Sequence, residues 1–187
     1  MRIAVVTGNP KPASRTHGVA VAVAGLLAAA LSDPPLPSVP PDGGAVPLAP
    51  RTPPDRLVID LAEHAPRLFD WSDAELSRLT AEVADAEVAV FASPTYKAAY
   101  TGLLKAFLDR YGSNGLAGTV AVPVMTGGWA GHALAVEVHL RPVLVELGAT
   151  VPARGLYVIE PEFGNLDAIV AAWADTAVPL IRRALAA

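Results

Sequence analysis

Five short apolar runs, RIAVVTG (2–8), LVIDL (57–61), EVAVFAS (87–93), TVAVPVMTG (119–127) and ARGLYVI (153–159), alternate along the chain with stretches of helical pattern. The runs are nearly continuous in apolar residues rather than alternating with polar ones. That is the signature of strands covered on both faces, which occurs where helices cross over a parallel sheet. The expected fold is therefore α/β, one domain over residues 1–187 built on a five-stranded parallel sheet. Ligands of such sheets bind beyond the carboxyl ends of the strands, where the strand order reverses. The order 2-1-3-4-5 makes neighbours of strands one, three and four, and so brings the loops that follow them to one place.

The segments between the runs carry helix signals. Residues 16–31 read as a helix with Ser14 or Thr16 as N-cap. Residues 72–86 open with Ser72 and Glu75 in capping-box spacing. Residues 131–148 have a helical pattern stopped by Gly148, with Pro142 inside it, so a kink or a widened turn is expected near Val138. Residues 166–185 form a last helix capped by Asn165. Pro123 lies inside the fourth run, which argues against a fully paired central position at that residue. Residues 33–54 break the alternation: nine of these 22 residues are proline, so the segment reads as an extended loop or insertion, too short for a domain.

Composition narrows the chemistry. The chain has no cysteine, which excludes a disulfide scaffold, a thiolate metal site and a cysteine nucleophile. A net charge of −4 speaks against a nucleic-acid partner. The apolar stretch 19–31 has 13 residues, fewer than the roughly 20 a membrane span needs, and no secretory pattern is present, so the expectation is a soluble cytoplasmic protein with no membrane partner. Lysine occurs only at Lys11, Lys97 and Lys105, against eleven arginines. Lys11 and Lys97 both fall in polar loops after strands, where a compact ammonium and a broad guanidinium are not equivalent.

Three loops carry the polar groups. GNPKPASRT follows the first strand and precedes a helix, whose N-terminus exposes free amides and a partial positive charge suited to a phosphate. Ser14 and Thr16 add hydroxyls, Lys11 and Arg15 add charge. Neither G-x-x-x-x-G-K nor G-x-G-x-x-G is present, so one phosphate fits better than a pyrophosphate. SPTYKAAYTG follows the third strand, where Tyr96 offers a flat ring and the backbone of Pro94, Thr95, Tyr96 and Lys97 offers polar groups. TGGWAGH follows the fourth, where Thr126, Gly127 and Gly128 permit close backbone approach. A phosphate at one end and a flat heterocycle at the other describe a mononucleotide, and FMN is the natural candidate in this architecture.

GNPKPASRT, SPTYKAAYTGLLKAFLD and VPVMTGGWAGHALAVEVHLRPVLVELGA resemble the NADPH-dependent FMN reductase family, of flavodoxin-like fold, and most of all the reductases that serve alkanesulfonate monooxygenases. The resemblance implies a three-layer sandwich that uses FMN and NADPH or NADH. It implies FMN phosphate near Ser14, Arg15 and Thr16, isoalloxazine near Pro94, Thr95, Tyr96 and Lys97, and the far edge of the ring near Thr126, Gly127 and Gly128. Where similar proteins more often have Gly-Ser, this chain has Gly8-Asn9, which leaves the Asn9 amide as donor in place of a hydroxyl. Where the alkanesulfonate-type reductases insert a tyrosine at a π-bulge in a tetramer interface, this chain has Val138, followed by His139.

No triad or metal-ligand cluster is evident, which agrees with a reaction whose chemistry is carried by cofactors while the protein positions them. Lys97 is a candidate donor to the flavin or to the phosphates of NADPH. His132, after the diglycine, either faces the nicotinamide or packs at the helix start. His17 and His64 read as solvated, and His139 as a packing or interface residue. Three functions compete: an NAD(P)H:FMN oxidoreductase that delivers reduced flavin to a monooxygenase, a reductase with tightly held FMN acting on quinones, azo compounds or metal ions, and a flavodoxin-type electron carrier. The apolar stretches LLKAFL and LAVEVHLRPVLVEL predict a homodimer or homotetramer.

Overall fold

Along the first strand, β1 (Arg2–Thr7), Ile3 and Val5 face one side of the sheet and Ala4 and Val6 the other, and all four are fully buried. The computed structural model describes residues 1–32 and 55–187; the proline-rich segment 33–54 lies outside the described residues. Period-two burial on both faces repeats in β3 (Val88–Pro94) and β4 (Val120–Gly127), where every residue is buried. With β2 (Asp55–Asp60) and β5 (Leu156–Ile159) they form one parallel sheet in the order β2-β1-β3-β4-β5.

Two helix layers cover it. On one face, α1 (Arg15–Ser32) and α5 (Leu166–Leu185) bury Val19, Val23, Leu27, Val170 and Ile181 against Ile3, Val5, Val90, Val122 and Val158. On the other, α2 (Ala74–Ala84), α3 (Gly102–Leu108) and α4 (Arg141–Glu146) bury Leu76, Val83, Leu104, Phe107 and Leu144, joined by Leu140 from the turn before α4, against Val6, Phe91, Ala121 and Met125. Among the described residues, α1 is long and apolar enough to cross a membrane; here Val19, Val23 and Leu27 are 0–1% exposed against the sheet.

Pro123 is tolerated where it stands. Val120 N–H donates toward β3, to Glu87 O, and Ala121 N–H toward the opposite side, to Thr150 O. Residue 123 therefore faces the β5 side, where the ladder begins only at Val124 with Leu156, and no bond is lost.

The widened turn expected near Val138 is a π-helical segment, Val136–Leu140, in which the Arg141 N–H reaches the Val136 carbonyl. Pro142 has no N–H for Val138 O, and its ring would crowd that carbonyl; widening the preceding turn relieves both. The insertion also places Glu137 and Arg141 side by side, with Arg141 Nε 2.6 Å from Glu137 Oε2. Arg141 Nη1 donates to Val151 O at 2.6 Å and Nη2 to Ala153 O, while Glu137 Oε1 accepts from Gly155 N–H at 2.6 Å. The pair thus clamps the chain entering β5. Burial opposes the Glu137 charge, but the bonds from Arg141 and Gly155 outweigh it and hold the carboxyl below its ordinary range. A depressed folded-state pKa means stability present above the unfolded value of about 4.3 and lost as pH falls through the folded value. Glu137→Gln should lower stability near neutrality by about 2 kcal/mol, roughly 4–8 °C in Tm, and the difference from the parent should shrink as pH falls below about 4.3 and vanish only once Glu137 is protonated in the folded protein as well. A gap that stays constant from pH 7 to pH 3 in thermal melts would show that the charge plays no part.

Two predicted caps change. Helix α2 starts at Ala74 and is capped by Asp73, whose carboxylate accepts from Leu76 N–H at 2.8 Å. That bond, the largest influence, lowers the Asp73 pKa. Ser72 instead donates its hydroxyl and its N–H to Asp70. Asn165 stands at the N-cap of α5 but makes no side-chain cap bond, because a 3₁₀ segment, Glu160–Asn165, runs directly into the helix.

Candidate active site

The first wall of the site is the turn from β1 into α1. Asn9 Nδ2 donates to Thr16 Oγ1 at 3.2 Å, and Asn9 Oδ1 accepts from Lys11 N–H at 2.9 Å, so this amide is used to build the loop. Thr16 Oγ1 is also 2.7 Å from Thr126 Oγ1, a buried hydrogen bond that ties the start of α1 to the end of β4. Ser14 Oγ accepts from His17 N–H at 3.2 Å and caps α1. Ala13, at φ 47°, donates its N–H to Asp60 Oδ2 at 2.9 Å. Asp60, at the end of β2, is buried and holds the loop from below; no sequence motif marks it.

His17 is not solvated as expected. Its Nδ1 lies 3.2 Å from Thr7 Oγ1 and 3.9 Å from Asp60 Oδ2, because the first turn of α1 crosses the ends of β1 and β2. His64 is half-buried, with Nδ1 3.2 Å from Arg67 Nη2.

The second wall follows β3. Thr95 N–H donates to Thr126 O at 2.7 Å, continuing the β3–β4 ladder. Tyr96 and Ala99 exchange backbone bonds of 2.9 and 3.2 Å around Lys97 (φ 52°) and Ala98 (φ 64°). Positive φ at both central residues makes this a type I′ turn, built without the glycine or asparagine that such turns prefer. The Tyr96 side is left half open to solvent, at 53% exposure.

These walls and the Thr126–Gly127–Gly128 end of β4 enclose an open cleft of about 290 Å³. Asn9, Lys11, Ser14, Arg15, Thr16, Pro94, Thr95, Tyr96, Thr126, Gly127 and Gly128 all line it. Lys97 and His132 do not. Lys97 is at the tip of the turn, and the His132 ring packs edge-on against Trp129 with centroids 5.0 Å apart. Gly127 is required by space: a Cβ there would lie 2.1 Å from the Tyr157 hydroxyl. Thr95 Oγ1 is buried on the cleft wall with no hydrogen-bond partner. A buried hydroxyl left unpaired costs about 1–3 kcal/mol, so a partner supplied from the cleft would be stabilising.

Three lining residues escaped the sequence reading: Ala13, Glu160 and Phe163. The last two come from the segment after β5. The rule that ligands sit beyond strand carboxyl ends applies to β5 as well, and EPEFG could have been read by it.

Electrostatically the cleft is divided. Lys11, Arg15 and the N-terminus of α1 make one end favourable to an anion. The other end presents Tyr96, Pro94 and backbone. Among the described residues no group of histidine, aspartate and glutamate is placed to hold a metal ion.

A search of known proteins agrees with this chemistry. An FMN reductase (NADPH) of Escherichia coli is 40% identical over 82 residues, a match that covers 44% of this chain and 43% of that enzyme's length. The NADH-dependent FMN reductase SfnF of Pseudomonas putida is 32% identical over 157 residues, covering 84% of this chain and 76% of the relative. Among solved structures, the apo form of an NADH:FMN oxidoreductase (EMOB) superposes with a TM-score of 0.79 at 27% identity, covering 98% of this chain and 89% of that one. With its flavodoxin-like sheet, and with a family model matching residues 1–163, the chain belongs to the NADPH-dependent FMN reductases.

Proposed function

We propose that the cleft seats FMN, with its phosphate over the N-terminus of α1 against Ser14, Arg15, Thr16 and Lys11, and its ring along Pro94, Thr95, Tyr96 and the Thr126–Gly128 backbone. The observation that carries this reading is the meeting of three loops from β1, β3 and β4 at one cleft, with a buried unpartnered hydroxyl, Thr95, on its wall. The donor set fits the group: hydroxyls, free helix amides and two cations at one end suit a phosphate, and a half-exposed tyrosine at the other suits a flat ring.

The chain is an NAD(P)H-dependent FMN reductase. The cofactors, when bound together, would themselves supply the hydride-transfer chemistry from reduced nicotinamide to flavin. The protein's part is placement. The Asn9–Thr16–Thr126 bonds fix the phosphate loop relative to the end of β4, so the two ends of the flavin are held in one frame. Lys97, off the cleft wall, is assigned to the phosphates of the nicotinamide cofactor, and His132 with Trp129 to the rim on its side. Leu134, Val138 and Val145, at 54–61% exposure and helical spacing, form an apolar stripe that supports a homo-oligomer. The Pseudomonas putida relative is named as an NADH-dependent FMN reductase, which supports reduction of FMN by a nicotinamide; the reading extends this to a cytoplasmic enzyme that supplies reduced FMN to a monooxygenase.

The purified chain with FMN should oxidise NADPH or NADH, read at 340 nm, in proportion to added flavin. Ternary-complex kinetics identify FMN as an exchanging substrate. Ping-pong kinetics with a yellow protein identify the alternative, a reductase that holds FMN and passes electrons to quinones or azo compounds. Binding of FMN without oxidation of either nicotinamide would overturn the enzymatic reading in favour of an electron carrier.

A further inference from the structure

We infer that Glu160 is a specificity-determining residue of the flavin site, whose carboxylate competes with the flavin phosphate for Arg15 and keeps FMN exchangeable. The inference rests on the FMN reading above. Arg15 is the first residue of α1, and its Nη2 lies 3.0 Å from Glu160 Oε1. Its guanidinium carbon is 5.0 Å from the centroid of the Phe163 ring. All three side chains line the cleft, at the end where Ser14 and Thr16 also stand.

The Arg15 and Glu160 side chains are 64% and 50% exposed, so their pairing adds little to the stability of the fold and opens readily. A phosphate recruits a guanidinium most strongly when both arms of its planar fork are free to donate. With one arm on Glu160 and its face over Phe163, Arg15 offers an incoming phosphate only part of that fork. Either Arg15 exchanges the carboxylate for the phosphate, or Glu160 stays beside a dianion. Each course weakens phosphate binding, and neither touches a flavin that lacks the phosphate. Glu160 therefore sets the ratio of FMN to riboflavin affinity, and lowers it, as suits a ligand that must leave after reduction.

Quenching of flavin fluorescence gives the dissociation constants of FMN and riboflavin for the parent chain, Glu160→Gln and Glu162→Gln. Glu162 lies on the same exposed segment but does not line the cleft. Glu160→Gln should bind FMN about 5–10-fold more tightly, with riboflavin unchanged, and the gain should shrink as salt is raised. Glu162→Gln should match the parent for both flavins. An FMN-to-riboflavin ratio that stays constant or falls in Glu160→Gln overturns the inference, as does an equal gain in Glu162→Gln. A parent chain that binds neither flavin rejects the FMN reading and this inference with it. A parent that binds FMN, with the ratio unaltered by Glu160→Gln, rejects the inference alone.

Discussion

Replacing Ser14 by aspartate should weaken FMN binding by about 100-fold or more while leaving the melting temperature at or above that of the parent chain. The two expectations come from different properties of one position. Ser14 is 6% exposed, and its hydroxyl caps α1 by accepting from His17 N–H. Aspartate is as good an N-cap as serine, and its charge is favourable at a helix N-terminus by about 0.3–1 kcal/mol, so folding should not suffer. The same charge stands where the phosphate is proposed to bind. Two like charges 4 Å apart repel by about 4 kcal/mol at an effective dielectric of 20, and screening toward the open mouth of the cleft still leaves the roughly 2.7 kcal/mol that 100-fold requires. Riboflavin, without the phosphate, should bind both proteins with nearly equal affinity. Titration with the two flavins beside a thermal melt reads all three quantities, and an aspartate variant that keeps its FMN affinity places the phosphate elsewhere.

Glu160→Gln is the converse case. One variant adds a negative charge at the phosphate end and the other removes one, so the FMN-to-riboflavin ratio should move in opposite directions. The amplitudes differ because Ser14 is buried at the base of the loop and Glu160 is at the solvated rim.

What could be read from the sequence was whatever local pattern encodes. The apolar runs announce themselves as doubly covered strands, and the strand order followed from the convergence of three polar loops. The π-segment was legible because Pro142 forbids an ordinary turn before it whatever the surroundings. The features that escaped depend on long-range partners. Ser72 and Asp73 both stand at the start of α2 as potential caps. The choice falls to Asp73, which Arg67 also engages at 2.9 Å, while Asp70 takes Ser72. His17 carries no motif, and its contacts with Thr7 and Asp60 exist only because α1 is laid across the ends of two strands. Asp60 reads in sequence as the polar end of LVIDL, and its bond to Ala13 spans 47 residues. Lys97 stands in a polar loop after a strand, but a type I′ turn puts that position at a tip, and only the backbone dihedrals disclose it.

Gly8→Ala should cost about 3 kcal/mol of stability, the upper part of the overpacking range, and lower Tm by roughly 6–12 °C. Gly8 does not have a positive φ, so the demand on it is purely spatial. A Cβ there would lie 2.4 Å from Leu104 Cβ, 2.9 Å from Leu104 Cα and 3.0 Å from Leu104 N. Two of those atoms are backbone of α3, and no rotamer moves them aside. Relief requires shifting either the end of β1 or the start of α3, and hydrogen bonds resist both. Gly8 N–H donates to Ala92 O at 2.8 Å, and Gly8 O accepts from the Thr101 hydroxyl that also caps α3 at Leu104 N–H. Thr101 N–H in turn donates to Ser93 Oγ at the end of β3. The close approach of Gly8 to Leu104 therefore sets the distance between the phosphate loop and the wall that carries Thr95 and Tyr96. A variant that folds should bind FMN at least about tenfold more weakly, since a displacement of even 1 Å between positioning groups is costly. Gly18→Ala provides the contrast. A Cβ at Gly18, within α1, meets nothing within 4 Å, so the same change should raise stability by up to about 1 kcal/mol through helix propensity. Denaturant unfolding of the two variants separates a steric requirement from a general effect of adding a methyl group. A Gly8→Ala protein within 1 kcal/mol of its parent would mean that α3 yields where its contacts say it should not.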